Sequence, residues 1–296
     1  MNYELYEGIV CLNNNLSIVG KNKLKKFAEM KTFPNVFQCT ARQMALDETI
    51  AAMAGHWREA YFHNNNPIVL ELGCGRGEYT VGLAARCPEK NFIGIDIKGA
   101  RMWAGAKEAI AQGLQNVAFL RTNIEMLTRF FAPDEVDEIW ITFCDPQMKK
   151  ATKRLTSTYF MQRYQEVTRE GGLIHLKTDS PFLYTYTREM LRLNGYPVAA
   201  DTDDLYATHS PTNCPGAQAS TPAFIEVPSP GNTMQLAEAR MLQTHYEKQW
   251  LERGMTIKYL AWNLLHKTDF QEPEIEIEKD TYRSYGRNYN TNCPTL

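Results

Sequence analysis

Four side chains that can bind or polarise a ligand, Glu71, Asp96, Asn123 and Asp145, fall at or just beyond the ends of apolar runs of strand length. The stretch VLELGCGRGEYT, residues 69–80, sets Gly73, Gly75 and Gly77 directly after the first of them. Glycines in such a turn let the backbone fold back tightly and let a ligand approach without interference from Cβ. The spacing excludes a dinucleotide fingerprint, which requires Gly or Ala at position 78, where this chain has Glu78. Glu71 would sit badly against a pyrophosphate and well against a cation. A carboxylate at Asp96 can accept both hydroxyls of a ribose in charge-assisted bonds, and Asn123 can pair with an adenine edge. A ligand with a ribose, an adenine, an ammonium and a sulfonium, and no phosphate, suits all three. That ligand is S-adenosylmethionine.

Residues 144–155 read CDPQMKKATKRL, so Asp145 is followed at once by Lys149, Lys150, Lys153 and Arg154. Two readings compete. The run is a solvated start to a helix at Thr156, or it is a strip for phosphates beside a catalytic acid. Cations at a helix N-terminus oppose its dipole, which favours the second. Lysines and arginines that neutralise phosphates supply sequence-independent affinity for nucleic acid.

Alternating elements must position these residues. Strands are expected at Ile68–Leu72, Asn91–Ile95, Val117–Arg121, Glu138–Phe143 and Leu173–Lys177. Helices are expected between them at Glu78–Cys87, Gly99–Gln112, Ile124–Phe130 and Thr156–Glu170. Strand and helix alternating at this pitch give a parallel sheet with helices on both faces. The strands are rich in Ile, Val and Leu without clean alternation, as when both faces are buried. A helix over Pro181–Leu193 closed by Asn194-Gly195, a strand near Pro197–Asp201, a long helix over Met234–Arg253 and a last strand over Thr256–Leu264 complete the pattern. Upstream, Ala41–Phe62 has apolar residues at helical spacing. The resulting expectation is a mostly parallel, seven-stranded, Rossmann-like α/β fold.

The organisation follows from composition. Residues 1–20 read as an extension, 21–66 as a basic arm and helix, 67–266 as the enzyme domain, and 267–296 as a tail. The Pro- and Ser-rich segment 207–233 reads as an inserted loop. The Glu-Ile-Glu-Ile-Glu piece at 274–278 fits an edge strand or a solvated tail, with the tail favoured. Net charge is −2, because an acidic end masks the basic segment 20–44. The seven cysteines are scattered without a Cys-x-x-Cys pair, and the opening residues do not read as a signal peptide, so the expected setting is the reducing cytoplasm. No apolar stretch is long enough for a membrane, and the six histidines form no ligand-spaced cluster for a metal. A monomer and a homodimer are both compatible with these features.

Three further motifs occur in order: Asp145-Pro146 followed by KKATKRL, Thr178-Asp179, and Thr244-His245-Tyr246-Glu247 followed by LERGMTIKYLAW. In this combination, from about Lys21 to Leu264, the chain resembles the bacterial tRNA (guanine-N7)-methyltransferase family. The resemblance implies a class I S-adenosylmethionine-dependent methyltransferase acting on a guanine in the variable loop of tRNA. It implies that Glu71, Gly73, Gly75, Asp96, Asn123 and Asp145 serve the cofactor, with Asp145 also at the catalytic centre. It further implies that Lys149, Asp179, Thr244, Tyr246 and Glu247 contact the RNA. The chain departs from the family pattern at Gln147, where Trp is usual, at Asn123, where Asp is common, and in a shorter basic run without histidines. Two rival readings are a methyltransferase for a small metabolite and a lapsed enzyme that only holds tRNA.

Overall fold

The computed structural model describes residues 23–38, 52–207 and 230–282. The extension at 1–20, the expected helix up to residue 51 and most of the inserted loop lie outside them.

Eight strands form one sheet: β1 (Val36–Gln38), β2 (Ile68–Leu72), β3 (Asn91–Ile95), β4 (Val117–Arg121), β5 (Val136–Thr142), β6 (Thr168–Thr178), β7 (Val198–Thr202) and β8 (Lys258–Asn263). Their order is β1-β4-β3-β2-β5-β6-β8-β7. Strands β1 to β6 pair in parallel, and β8 runs antiparallel between β6 and β7. The sheet therefore has one strand more than expected. The extra strand, β1, is three residues long and is recruited to the edge by β4, too short to leave a periodic signature.

The sequential order reverses between β2 and β5. In an open α/β sheet the crevice outside the carboxyl ends at such a point is where ligands bind. The β2–β5 register pairs Glu71 with Trp140 and Leu72 with Ile141, so the glycine turn and the Asp145 loop leave the sheet side by side.

Helices α1 (Glu78–Ala84), α2 (Gly99–Ala111), α3 (Thr158–Tyr164), α4 (Pro181–Leu193), α5 (Pro230–Arg240) and α6 (His245–Glu252) connect and flank the strands. Two buried clusters sandwich the sheet. One contains Trp57, Leu70, Ile93 and Ile139, and the other Tyr79, Phe92, Phe119 and Trp140. All five residues of β2 and of β3 are buried, which explains their unbroken apolar runs. Each fully buried large side chain contributes about 1.5–3 kcal/mol.

Several expected elements are corrected. The single helix over Met234–Arg253 is two helices broken at 241–244, because Thr244 and Glu247 form a capping box that starts α6 afresh. Helix α5 begins at Pro230, inside the expected loop. The helix expected to run to Glu170 ends at Tyr164, and β6 begins at Thr168. The Ile124–Arg129 segment is a 3₁₀ helix. Within the basic arm, residues 23–30 are helical and packed on α2. There Met30 is buried, Glu29 accepts from Trp103 Nε1 at 2.7 Å, and the Lys26 ammonium lies 4.6 Å from the Trp103 ring centre.

The piece 274–278 forms no edge strand, and Glu274, Ile275, Glu276 and Glu278 are exposed as in the favoured solvated reading, but residues 267–282 as a whole do not hang free. They form a strap without strand geometry that packs across α3 and α4, with Ile277 and Phe270 against the core. Among the described residues no helix is long and apolar enough to cross a membrane, and no group of three or more His, Cys, Asp or Glu is placed to hold a metal ion.

Candidate active site

A cavity of about 620 Å³ opens at the carboxyl rim. Its lining brings Gly73, Asp96 and Asn123 together with Lys149, Lys150 and Lys153. The glycine turn takes its shape from local backbone geometry. Gly75 has φ of 55°, a left-handed value costly for other residues, and an added Cβ would meet nothing closer than 3.9 Å. The space in front of it is thus a cradle. Gly77 serves packing instead, since a Cβ there would come within 2.5 Å of Phe119.

Asp96 Oδ2 accepts from the Gly75 N–H at 2.9 Å and Oδ1 from the Lys98 N–H at 2.7 Å. Each carboxylate oxygen keeps lone-pair capacity for a ligand hydroxyl. Asn123 opens the 3₁₀ helix by accepting from the Glu125 N–H at 3.4 Å. Beside it, Thr122 Oγ1 is buried on the cavity wall with no hydrogen-bond partner among the described residues. Ile97, 61% exposed, adds an apolar patch to the same wall. A ribose accepted by Asp96, a purine beside Asn123 and Ile97, and a polar atom for Thr122 match S-adenosylmethionine. The residues present fit that group.

Glu71 is placed differently from expectation. Its side chain is buried behind the turn, where Oε2 accepts from the Thr80 N–H at 2.8 Å and Thr80 Oγ1 at 2.5 Å, and Oε1 from Thr142 Oγ1 at 2.8 Å. It ties β2, β5 and α1 together and positions the glycine turn. Burial pushes its pKa up to about 7, against the lowering effect of those bonds.

Asp145 is exposed at the end of the β5 loop, and its Oδ1 accepts from the Gln147 N–H at 2.9 Å. Phe143 and Gln147 on either side have φ of 48° and 47°. Non-glycine residues held there signal a loop whose shape the surroundings impose, a frequent property of functional sites. Lys149 and Lys150 are exposed, and Lys153 pairs with Glu125 at 2.5 Å. Arg154 leaves the basic strip. It is buried, donates to Met148 O at 3.2 Å and lies over the Phe182 and Tyr186 rings.

The later motifs are mostly inside the protein. Asp179 is 1% exposed and accepts from Tyr282 OH at 2.7 Å. Glu247 is fully buried in an ion pair with Lys177 at 2.7 Å and accepts from Tyr206 OH at 2.6 Å. Thr244 caps α6. Lys177 also donates to Ala239 O at 2.7 Å and Leu242 O at 2.8 Å, satisfying carbonyls where α5 ends. Burial pulls the Lys177 ammonium down to about 8, although Glu247 opposes the shift. Asp179 and Glu247 are thus buried and paired inside the protein, Thr244 is half-buried as the cap of α6, and Lys149 and Tyr246, the latter 47% exposed, are open to a partner. Lys177, Thr122 and Ile97 were missed in the sequence. The one available signal was the position of Thr122 beside Asn123 at a strand end.

Fold and cavity together define a Rossmann-like methyltransferase, and a family model described as putative methyltransferase matches residues 65–210. A protein named tRNA (guanine-N(7)-)-methyltransferase from Bacteroides fragilis is 51% identical over 277 residues, covering 94% of this chain and 99% of that protein. One of the same name from Porphyromonas gingivalis is 55% identical over 259 residues, covering 87% and 96%. A looser likeness, at 14% identity and a TM-score of 0.46, runs to the crystal structure of the 16S rRNA methyltransferase KamB, over 74% of this chain and 92% of that one. The chain belongs to the tRNA (guanine-N(7)-)-methyltransferase family.

Proposed function

We infer that this chain transfers the methyl group of S-adenosylmethionine to N7 of a guanine in tRNA. The observation that carries the reading is the cavity in which Asp96 and Asn123, suited to a nucleoside, share walls with Lys149, Lys150 and Lys153, suited to a phosphate backbone. The cofactor supplies a methyl on a sulfonium, an electrophile that an unprotonated nitrogen can attack directly.

Guanine N7 carries a lone pair and no proton, so the protein needs no general base at that atom. Its work is positioning and electrostatics. Aligned reactants gain effective molarities of about 10⁵–10⁸ M. Asp96 and Asn123 would hold the donor's nucleoside, and the glycine turn, kept in shape by Glu71, would receive it at the switch point. Asp145, exposed and oriented by the Gln147 N–H, would face the purine as it gains positive charge and stabilise that charge. Its free oxygen would also accept from guanine N1–H or the amino group, which selects guanine over adenine. Lys149 and Lys150 would hold phosphates and set register without reading sequence.

The test is incubation with labelled methyl donor and bulk tRNA, followed by borohydride–aniline cleavage, which cuts at 7-methylguanine. Label confined to those cuts supports the reading. Label in small molecules without RNA supports a metabolite methyltransferase, and tRNA binding without donor binding supports a lapsed enzyme.

A further inference from the structure

The last described residues of the C-terminal strap reach the carboxyl side of the sheet, and the strap is held down at 267–272 and again at 280–282. Gln165 Nε2 donates to Lys267 O at 2.9 Å and Lys267 N–H to Gln165 Oε1 at 2.8 Å. Asn194 and Gln271 exchange two bonds, both at 2.8 Å. Glu272 accepts from Thr158 Oγ1 at 2.7 Å and from Tyr186 OH. Asp280 accepts from Ser180 Oγ at 2.5 Å and from the Phe182 N–H at 3.1 Å, in the first turn of α4. Each bond is modest in net effect, but lifting the strap would break all of them at once.

Helix α4 starts where β6 ends, so the last residues of the strap lie on the ligand side of the sheet. There the Tyr282 hydroxyl sits on Asp179, and its ring meets Trp250 edge-on with centroids 5.3 Å apart. Trp250 and Tyr246 are one turn apart on α6 and share a face. The Arg253 guanidinium lies 4.9 Å from the Trp250 ring centre. At its other end α6 abuts the glycine turn, since the His245 N–H donates to Glu78 Oε2 at 2.7 Å. Helix α6 thus reaches from Glu78, just after the glycine turn, to the Tyr282–Asp179 pair, and carries exposed Tyr246, Arg253 and half-buried Trp250 between them.

Resting on the assignment of tRNA as substrate, we propose that Tyr282 is a specificity-determining contact: with Trp250 and Tyr246 it forms a shelf on which an unpaired base of the tRNA stacks. Asp179 is then a positioning residue that fixes the Tyr282 phenol. Unpaired RNA bases are commonly held on aromatic rings and arginine planes, and such stacking tolerates different bases. The shelf lies at the end of β6, on the same carboxyl side of the sheet as the cavity.

The experiment compares full-length wild type with Tyr282→Ala, Tyr282→Phe and Asp179→Asn. It reads kcat and KM for tRNA, tRNA affinity against salt, donor affinity by calorimetry, and Tm. Tyr282→Ala should raise the tRNA KM about fivefold or more, with kcat and donor affinity within about twofold. Its salt slope should match wild type, because no charge is removed. Tyr282→Phe keeps the ring and should lose less, and Asp179→Asn should track it. An unchanged KM in Tyr282→Ala overturns the proposal. So does an equal fall in donor affinity and Tm, which would make the strap merely structural, or a loss in Asp179→Asn exceeding that of Tyr282→Ala. tRNA affinity is read by binding and N7 methylation by cleavage, so failure of the shelf and failure of the assigned reaction are separately visible.

Discussion

On one half of the carboxyl rim, Asp96 and Asp145 reach solvent, and each is oriented by backbone N–H groups. On the other half, Asp179 and Glu247 are 1% and 0% exposed and are held by Tyr282 and Lys177. All four belong to motifs that a family resemblance marks as functional, yet they face opposite environments. A carboxylate in water can meet a ligand at little desolvation cost. One in the interior must already be paired, because an unpaired buried charge is prohibitive. The open half can therefore meet a ligand directly, as the proposed function requires, whereas the closed half holds α5, α6 and the strap in place.

The comparison can be broken most decisively at Lys177. Lys177→Met leaves Glu247 buried and unpaired and should destabilise the protein by about 3–5 kcal/mol in denaturant unfolding. Adding Glu247→Leu should restore much of that. If the single variant kept wild-type stability and lost only tRNA binding, the closed half would be a contact surface after all.

Next comes Glu71, beneath the open half. Burial lifts its pKa from 4.5 to about 7, so between those pH values the folded chain keeps a proton that the unfolded chain has released. Stability should then fall as pH rises through that window, by up to about 3 kcal/mol. Glu71→Gln should flatten the profile, as thermal unfolding against pH would show.

Asp145→Asn should cut kcat about a hundredfold, the scale of losing one preorganised electrostatic partner. Because the side chain is exposed, Tm should stay unchanged. A large Tm drop would place Asp145 with the closed half. The smallest effects belong to Lys149→Ala and Lys150→Ala. Each should weaken tRNA binding uniformly and lower the salt slope by about 1. Unchanged slopes would show that these lysines meet no phosphate.

The open half was more legible in the sequence than the closed half, for physical reasons. Strands β2, β3 and β4 are found at their expected bounds, because burial on both faces demands unbroken Ile, Val and Leu. Helix α4 is delimited by Ser180-Pro181 and Asn194-Gly195, both local signals. Gly73, Asp96 and Asn123 follow directly from those strand ends. In the closed half the determinants are long-range. Nothing near Asp179 in the chain reveals that Tyr282 will cover it. Nor does anything near Glu247 reveal that Lys177, 70 residues earlier, will meet it. The Thr244-x-x-Glu247 spacing carries a local message, a capping box, which marks the break between α5 and α6. The strap was illegible because its anchors, Glu272 and Asp280, are held by hydroxyls and a backbone amide distant in the chain, without any periodic pattern.

The left-handed conformations of Phe143 and Gln147 bear on how a turnover begins. A slack loop would have to give up freedom each time a guanine arrived. Here that freedom is surrendered once, as the chain folds, and under the proposed mechanism Asp145 would meet each incoming nucleobase already aimed.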